Sequence, residues 1–578
     1  MATIADEAKA TDGSRDNTDG ADMWKASRLV DERTGNSYVG IDFPTRQKTS
    51  GFLVADDDLI EQPKRLRGLL KRRGALLVGT TKARQVRFVE QLMRKMPPDA
   101  STLAMKPGLR DGDGFILGKR ILGKAMGRYR WPHSANYTRG ELGARHGNKA
   151  EWDTYVGQVA LESTSLSFGL CLALACPLPS YVLARSDERL LSETAVFNLC
   201  GESGSGKSSI ARAAAGTFGP PDLIRKWDFT RRGLEEYAES RHDLLVILED
   251  LETHTEEAGS LRTAVRNANQ VITSGQSKLI SNHADIPHLT WTAFGLMSSP
   301  VSIEALAKQN GWKRTNGERA RLSDILIPPV AEGGIFDQLK CDGQERIDKG
   351  KRLIKRLDDG VTQNYGLVMV RWLNYLFEYD RSDLILKLVD RFLKRVAPNA
   401  DGFEERCAKK FAVTGVAGYL AAKHGILPWP KEWAFIVAER CYHLALQTVR
   451  ADSVSIADKI RLLASLTRDA SRFVNVKSGE PIKFRETMLG VRTRYKNQKV
   501  LAIRDGALDI FAGSAAASAQ IIEQLRSKSI LVGHGQGHAG TTQLEIPIVV
   551  GGRLIRKPRF WIIDPSRLCA FASPPDPN

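Results

Sequence analysis

Several features are scarce in this chain, and each scarcity removes a class of protein. Seven cysteines (Cys171, Cys176, Cys200, Cys341, Cys407, Cys441 and Cys569) are scattered over 578 residues, with no Cys-x-x-Cys pair and no histidine cluster beside them. That spacing excludes a zinc ribbon and a disulfide framework and fits a reducing compartment. Residues 1–22 are polar and acidic, without the apolar run of a secretion signal. The longest apolar stretch, 166–183, is broken by Gly169, Pro177, Pro179 and serines, so it reads as a buried helix rather than a membrane span. A cytoplasmic protein without a membrane partner is expected. No internal repeat appears, which excludes a solenoid. Acidic residues are in deficit, 67 against 84 basic, for a formal net charge of +17. That excess favours a polyanionic partner, nucleic acid before acidic membrane, over a basic proteome background. With 42% apolar and 26% charged residues, a chain of this length holds several domains with sizeable cores.

The organising stretch is AVFNLCGESGSGKSSIARAAAG, residues 195–216. An apolar run leads into Gly201-Glu202-Ser203-Gly204-Ser205-Gly206-Lys207-Ser208, followed by Ser209 and an alanine-rich helical pattern. This is the P-loop spelling G-x-x-x-x-G-K-[ST] between strand and helix. Its glycines let backbone N–H groups converge on phosphate oxygens, and the following helix points its positive end at the same anion. Lys207 is placed to reach the β/γ-phosphates of ATP and Ser208 to ligate Mg²⁺.

Some forty residues on, the apolar run 244–248 ends in Glu249-Asp250. A buried strand tipped with acids beside a P-loop suits a Walker B site: Glu249 for the Mg²⁺ shell, Asp250 for activating water, with Glu252 as a substitute. A further apolar run, 289–297, ends in Ser298 and Ser299, which fit either γ-phosphate sensing or a strand-end cap. Before the last core strand stand Arg319 and Arg321. Arg321, with Arg319 second, suits an arginine finger reaching a neighbouring subunit; the alternative is a surface pair with Glu318 or Asp324.

The remaining segments are read in order. Residues 1–24 are a disordered tail and 25–104 a small α/β unit, with strands at 37–41 and 76–78 and a helix over 83–96. Its basic run 64–73 is either a solvated helix face or a nucleic-acid face. Residues 105–150 carry a basic hairpin with interleaved aromatics around 114–118, suited to phosphates and bases or to a plain surface. The P-loop core spans 151–340. Apolar positions at helical spacing make 341–475 a helical domain. Residues 476–578 combine a helix at 515–527 with β runs, the economy of a winged helix. Arg553, Arg556, Lys557 and Arg559 decorate that wing beside Phe560 and Trp561. The histidines of the 533–538 turn lack acidic partners, which disfavours a metal.

In this order the motifs resemble a family known as domain of unknown function nine-two-seven, seen in proteins of plasmids, prophages and staphylococcal-cassette-type elements. The matching segments are GFILGKRILG (114–123), NLCGESGSGKSS, GTFGPP, KWDFTRRGLEEYA, LLVILEDL, ITSGQSKLIS, GERARLSDI, GGIFDQL (333–339), NYGLVMVRWLNYL and AVTGVAGYLAAKHGILPWP (412–430). The resemblance implies a multidomain α/β protein with a P-loop, AAA+-like ATPase core and a C-terminal winged helix. It further implies a homo-oligomeric ring that acts on nucleic acid, DNA before RNA, as an ATP-dependent helicase or translocase. Two departures stand out: the acid pair is inverted from the family's Asp-Glu order, and the turn 274–279 keeps Lys278 but loses the basic residue that follows. Lys278 is then a pore residue touching phosphates or an exposed hairpin lysine. The inverted acids leave open a second function, a nucleotide-gated switch on DNA or on a partner, with slow hydrolysis.

Overall fold

The computed structural model describes residues 23–45, 50–132, 142–251, 258–278, 288–398, 400, 402–453, 456–476, 481–484, 488–504, 506–512, 515–532, 541–550, 553–555 and 557–572. The protein is a multidomain α/β chain that divides into two compact units, Met1–Thr448 and Val449–Asn578.

The first unit is built round a five-stranded parallel sheet: β1 (Val196–Cys200), β2 (Arg225–Lys226), β3 (Leu245–Glu249), β4 (Phe294–Ser299) and β5 (Leu322–Leu326), in the spatial order β2-β3-β4-β1-β5. Strands β1 and β4 are buried along their whole length, as a parallel sheet covered on both faces requires. Because every strand pair is parallel, all carboxyl ends emerge at one edge. A β4 lying between β1 and β3 sets its hydroxyl tip between the glycine-rich loop and the acid pair.

One face of the sheet is covered by the helix Thr164–Ala175, every residue of which is buried. A helix apolar on all sides needs cover on all sides. The helix Gly402–Lys423 supplies it: Phe168 packs between Phe197 of β1 and Phe411, with ring centroids 5.0 and 5.6 Å away. The segment expected as a separate helical domain, 341–475, therefore shares one continuous core with the sheet as far as Thr448. Among the described residues, Thr164–Ser186 is the one stretch long and apolar enough to cross a membrane, and it lies in this core.

N-terminal to this core is a mixed sheet ordered Ser50–Asp56, Ser37–Pro44, Lys25–Asp31, Ala100–Leu103, Tyr129–Arg130. The helices Pro63–Arg72 and Lys82–Arg94 pack on it through Leu66, Leu70, Phe88 and Leu92. The strand expected at 76–78 is not formed. Gly74 and Gly79 flank it at positive φ, and the sheet edge is taken instead by 50–56. The expected hairpin appears as Gly114–Leu117 with Arg120–Gly123, but the cations around it are spent internally. Arg110 pairs with Glu32 at 2.9 Å, Lys124 with Asp113 at 2.5 Å and Arg128 with Asp111 at 2.9 Å, and Arg130 pairs with Asp42.

The second unit holds two sheets. The larger is ordered Phe473–Asn475, Gly490–Tyr495, Gln498–Arg504, Arg559–Ile563, Thr542–Gln543; the smaller is Ile482–Lys483, Ile548–Val550, Arg553–Ile555. Helices Ile456–Ser465, Ala507–Ala512, Ala515–Ser527 and Pro565–Ala572 complete it. The helix expected over 515–527 is present. The 490–504 hairpin, which no turn glycine announces in the sequence, forms the centre of the larger sheet.

Asp243, just before β3, joins three elements of the first unit. Its carboxylate accepts hydrogen bonds from Ser180 Oγ at 2.5 Å and from the Leu109 N–H at 2.9 Å. Burial pushes its pKa up to about 6 from an ordinary 3.8, although these bonds and the charges of Arg110 and Lys106 oppose the shift. A raised carboxyl favours the folded state only while protonated, so its contribution is complete below 3.8 and is lost as pH rises through about 6. Denaturant titrations across this window are expected to show a fall with rising pH of about 3 kcal/mol that Asp243→Asn abolishes.

Candidate functional site

The glycine-rich loop leaves β1 at Gly201, whose N–H donates to the Ser299 carbonyl of β4 at 3.3 Å. Gly204 and Gly206 take φ of 79° and 100°, left-handed positions that an L side chain resists. A Cβ on Gly206 would meet Ile354 and Ile335 methyls at 2.8 and 2.9 Å. Gly206 caps the helix Lys207–Gly216 with no side-chain bond to the helix start, so the first N–H groups stay directed at the loop's concavity. Lys207 Nζ donates to the carbonyls of Gly201 and Glu202 at 2.6 and 2.8 Å, folding the side chain across the loop.

The loop's other members divide by direction. Ser203 and Gly204 line the cleft. Glu202 turns outward and accepts from the Val330 N–H beyond β5. Ser205 is buried, and its Oγ has no partner. Ser209, 5% exposed, donates to Asp358 at 3.2 Å, on the helix Gly343–Gln363. Its hydroxyl is therefore engaged away from the loop's mouth.

Across the cleft, the Ser208 hydroxyl faces the Glu249 carboxylate at the tip of β3. Burial raises the Glu249 pKa, with the Asp250 charge adding to it and the Ser208 hydroxyl opposing it. Glu249 Oε1 is buried without a hydrogen-bond partner. A desolvated carboxylate oxygen beside a serine hydroxyl is a donor set that fits Mg²⁺, a cation that retains waters and needs few protein oxygens. Among the described residues, no group of three or more His, Cys, Asp or Glu forms an alternative metal cage. Asp250 sits at φ 66°, and its N–H donates to Ser298 Oγ at 3.3 Å. Its carboxylate lies 3.8 Å from Lys226 Nζ on β2. Loop, acids and Ser298 thus line one cleft of about 570 Å³.

Ser299, also at the tip of β4, faces inward. Asn198 of β1, fully buried, donates to Ser299 Oγ at 2.8 Å and to Asp324 of β5 at 2.7 Å. Asp324 also accepts from the Ile303 N–H at 3.0 Å and from Arg314 at 3.3 Å. The sequence motifs assign no role to Asn198, Arg314 or Lys226. An asparagine inside an apolar strand was the one signal that would have found the first of them.

The two arginines stand outside this cleft. Arg321 Nε donates to Glu193 Oε2 at 2.5 Å, and Arg406 and Lys410 share that carboxylate. Arg319 is clamped on Glu304 at 2.5 Å. Neither uses Glu318 or Asp324 as its carboxylate in these contacts. Of the residues expected to contact nucleic acid (Lys278 and, on the C-terminal wing, Arg556 and Lys557), Lys278 shares the first unit with the cleft and is not among its lining residues. Lys278 is exposed, and its N–H donates to Glu235 at 3.4 Å. Lys557, in the second unit, forms an exposed pair with Glu545 at 2.8 Å. Arg556, Glu252 and the 533–538 turn lie outside the described residues.

Gly206→Ala is expected to weaken triphosphate binding at least tenfold and to cost about 1–3 kcal/mol of stability, because the left-handed position and the isoleucine methyls both oppose a Cβ. Titration with a fluorescent triphosphate analogue and denaturant unfolding read the two effects.

Comparison with known proteins places this geometry. No curated protein matches the sequence. A solved structure described as "SCCmec type IV Cch - active helicase" superposes with a TM-score of 0.54 at 16% identity, covering 96% of this chain and 95% of that one. That likeness establishes a shared fold along nearly the whole chain. A second, "The A form apo structure of NrS-1 C terminal region-CTR(305-718)", matches at a TM-score of only 0.23 and 11% identity, over 72% of this chain and 91% of that one. A family model described as "Domain of unknown function (DUF927)" matches residues 25–285, a span that contains the glycine-rich loop, the acid pair and the turn bearing Lys278. Over those residues, somewhat under half of its length, the chain is similar to the DUF927 family.

Proposed function

We propose that this protein is an ATP-dependent, helicase-like motor of a mobile element, acting on nucleic acid, DNA before RNA, as a homo-oligomeric ring. The observation that carries the reading is the convergence, at the carboxyl edge of one parallel sheet, of a P-loop, a Ser208–Glu249 pair with an unpartnered carboxylate oxygen, and the Ser298 tip between them. The AAA+-like order of parts and the helicase named in the full-length fold match support it. The winged-helix assignment of the C-terminal region rests on its helix-then-β pattern together with the family resemblance, and the ring rests on the resemblance.

Mg²⁺, when bound, would supply charge neutralisation to the triphosphate. The chain's own residues do the rest. Lys207 exchanges its two carbonyls for phosphate oxygens, and the N–H groups at the start of the following helix hold them. Ser208 and Glu249 would hold the metal. Asp250, fixed by the Ser298 bond, accepts the proton of the attacking water. Arg321 serves the neighbouring subunit's site once Glu193 releases it, so assembly and hydrolysis are coupled through that one carboxylate.

The switch reading keeps one specific support: Asp250, at left-handed φ and facing Lys226, stands where a longer glutamate reaches further toward the water. DNA-stimulated ATP hydrolysis separates the two. In a motor, Lys207→Ala and Asp250→Ala each remove nearly all stimulated turnover, Lys207→Ala with loss of nucleotide affinity and Asp250→Ala without it. Tight nucleotide binding with no stimulated turnover in the wild type would leave the switch.

Arg321→Ala is expected to lower turnover about 10³-fold while leaving nucleotide affinity within a few-fold. Mixing it with Lys207→Ala should restore partial activity, since each variant supplies what the other lacks. Absence of complementation at concentrations that support assembly would remove Arg321 from the trans role.

A further inference from the structure

The chain's positive charge is unevenly placed. Residues 62–95 hold 11 Lys and Arg against one Asp or Glu, and residues 449–578 hold 20 against 11. The remainder is close to neutral. In the second unit part of that excess faces a concave surface of about 930 Å³ beside the 490–504 hairpin.

Strands Gly490–Tyr495 and Gln498–Arg504 pair antiparallel with Arg492 opposite Leu501 and Arg494 opposite Lys499. Side chains directly opposite share a face, so Arg492, Arg494 and Lys499 all line this groove. Like charges facing each other across a ladder destabilise it unless an anion lies between them. The lining contains no Asp or Glu. Among the described residues, Arg468, Arg494 and Lys499 form no ion pair. Arg492 is held rigidly by neutral groups, donating to the carbonyls of Thr467 at 2.8 Å, Asp469 at 3.1 Å and Phe473. Its N–H groups are engaged while its charge stays uncompensated. Val476 and Pro565 add apolar wall to the same groove.

A rigid, concave surface with four cations, no carboxylate and apolar wall is suited to a polyanion whose charges repeat and whose units carry flat apolar faces. We infer that this groove binds the sugar–phosphate backbone of a nucleic-acid strand, with Arg494 and Lys499 as paired phosphate contacts. The inference rests on the nucleic-acid reading proposed above and gives it a location in the second unit. An acidic polypeptide has repeating charge without the flat apolar units, and so fits the groove less well.

The test uses the full chain and a fluorescent oligothymidylate, with affinity measured over a range of salt concentrations. Arg494→Ala/Lys499→Ala is expected to bind about tenfold more weakly at low salt and to lower the slope of log affinity against log salt by about 1.4, the release of counterions from two phosphates of a single strand. Arg494→Lys/Lys499→Arg, which keeps both charges, should restore the slope. Triphosphate affinity should stay at the wild-type value in both variants, and thermal unfolding of the alanine variant should stay at or above the wild-type temperature, since the facing like charges are removed. Equal slopes for wild type and the alanine variant would overturn the groove while leaving nucleic-acid binding elsewhere. No binding by the wild type would overturn the nucleic-acid reading and the groove together. Displacement by polyglutamate but not by unlabelled oligonucleotide would reassign the groove to an acidic protein.

Discussion

One buried amide, Asn198, fixes the edge at which the first unit presents its chemistry. It sits in β1 immediately between two neighbouring strands and bonds outward to both, to Ser299 on β4 and to Asp324 on β5. A buried polar network holds a unique geometry only when its members are satisfied, and this one is extended by the helix start at Ile303 and by Arg314. The glycine-rich loop begins three residues after Asn198. Its relation to Ser298 therefore depends on side-chain hydrogen bonds as well as on the ladder, whose last rungs lie at Cys200.

Packing behind the sheet follows from a different constraint. The helix Thr164–Ala175 has no polar face, so it cannot lie at a surface, and the helix Gly402–Lys423 encloses it. That requirement draws C-terminal helices into the same core as the loop strand. The carboxylate of Glu193 is an outcome of this enclosure: it meets Arg321 from the end of the sheet and Arg406 and Lys410 from the enclosing helix. Burial lowers the Lys410 pKa to about 8 despite that carboxylate. The strand end and the enclosing helix are thereby joined by charge as well as by apolar contact.

What the sequence disclosed depended on how local the physics was. Loop, acid tip and hydroxyl tip are each a few consecutive residues with a fixed strand–turn grammar, and all of them line the same cleft. Arginine partners were not legible, because Glu193 lies more than a hundred residues from Arg321 and only the folded chain joins them. Nor was the merging of the helical segment with the core, since periodicity reports that a face is apolar and not which surface covers it. The strand expected at 76–78 failed because apolar character alone does not provide a pairing partner. The 490–504 hairpin, with its turn at Lys496 and Asn497 at positive φ, lacks the glycine that usually marks such a turn.

If the cleft takes ATP as proposed, the hold of Lys207 on the carbonyls of Gly201 and Glu202 has a consequence for selectivity. A ligand gains the lysine only by displacing two well-formed hydrogen bonds, so a weak or distant anion gains little. Phosphate groups that reach the lysine outcompete two neutral carbonyls, whereas a nucleoside or monophosphate that stops short of it must bind without that charge. The same bonds keep the loop in shape before any ligand arrives, which spares much of the ordering cost on entry. On that reading the lysine acts as a latch that reads the length of the phosphate chain.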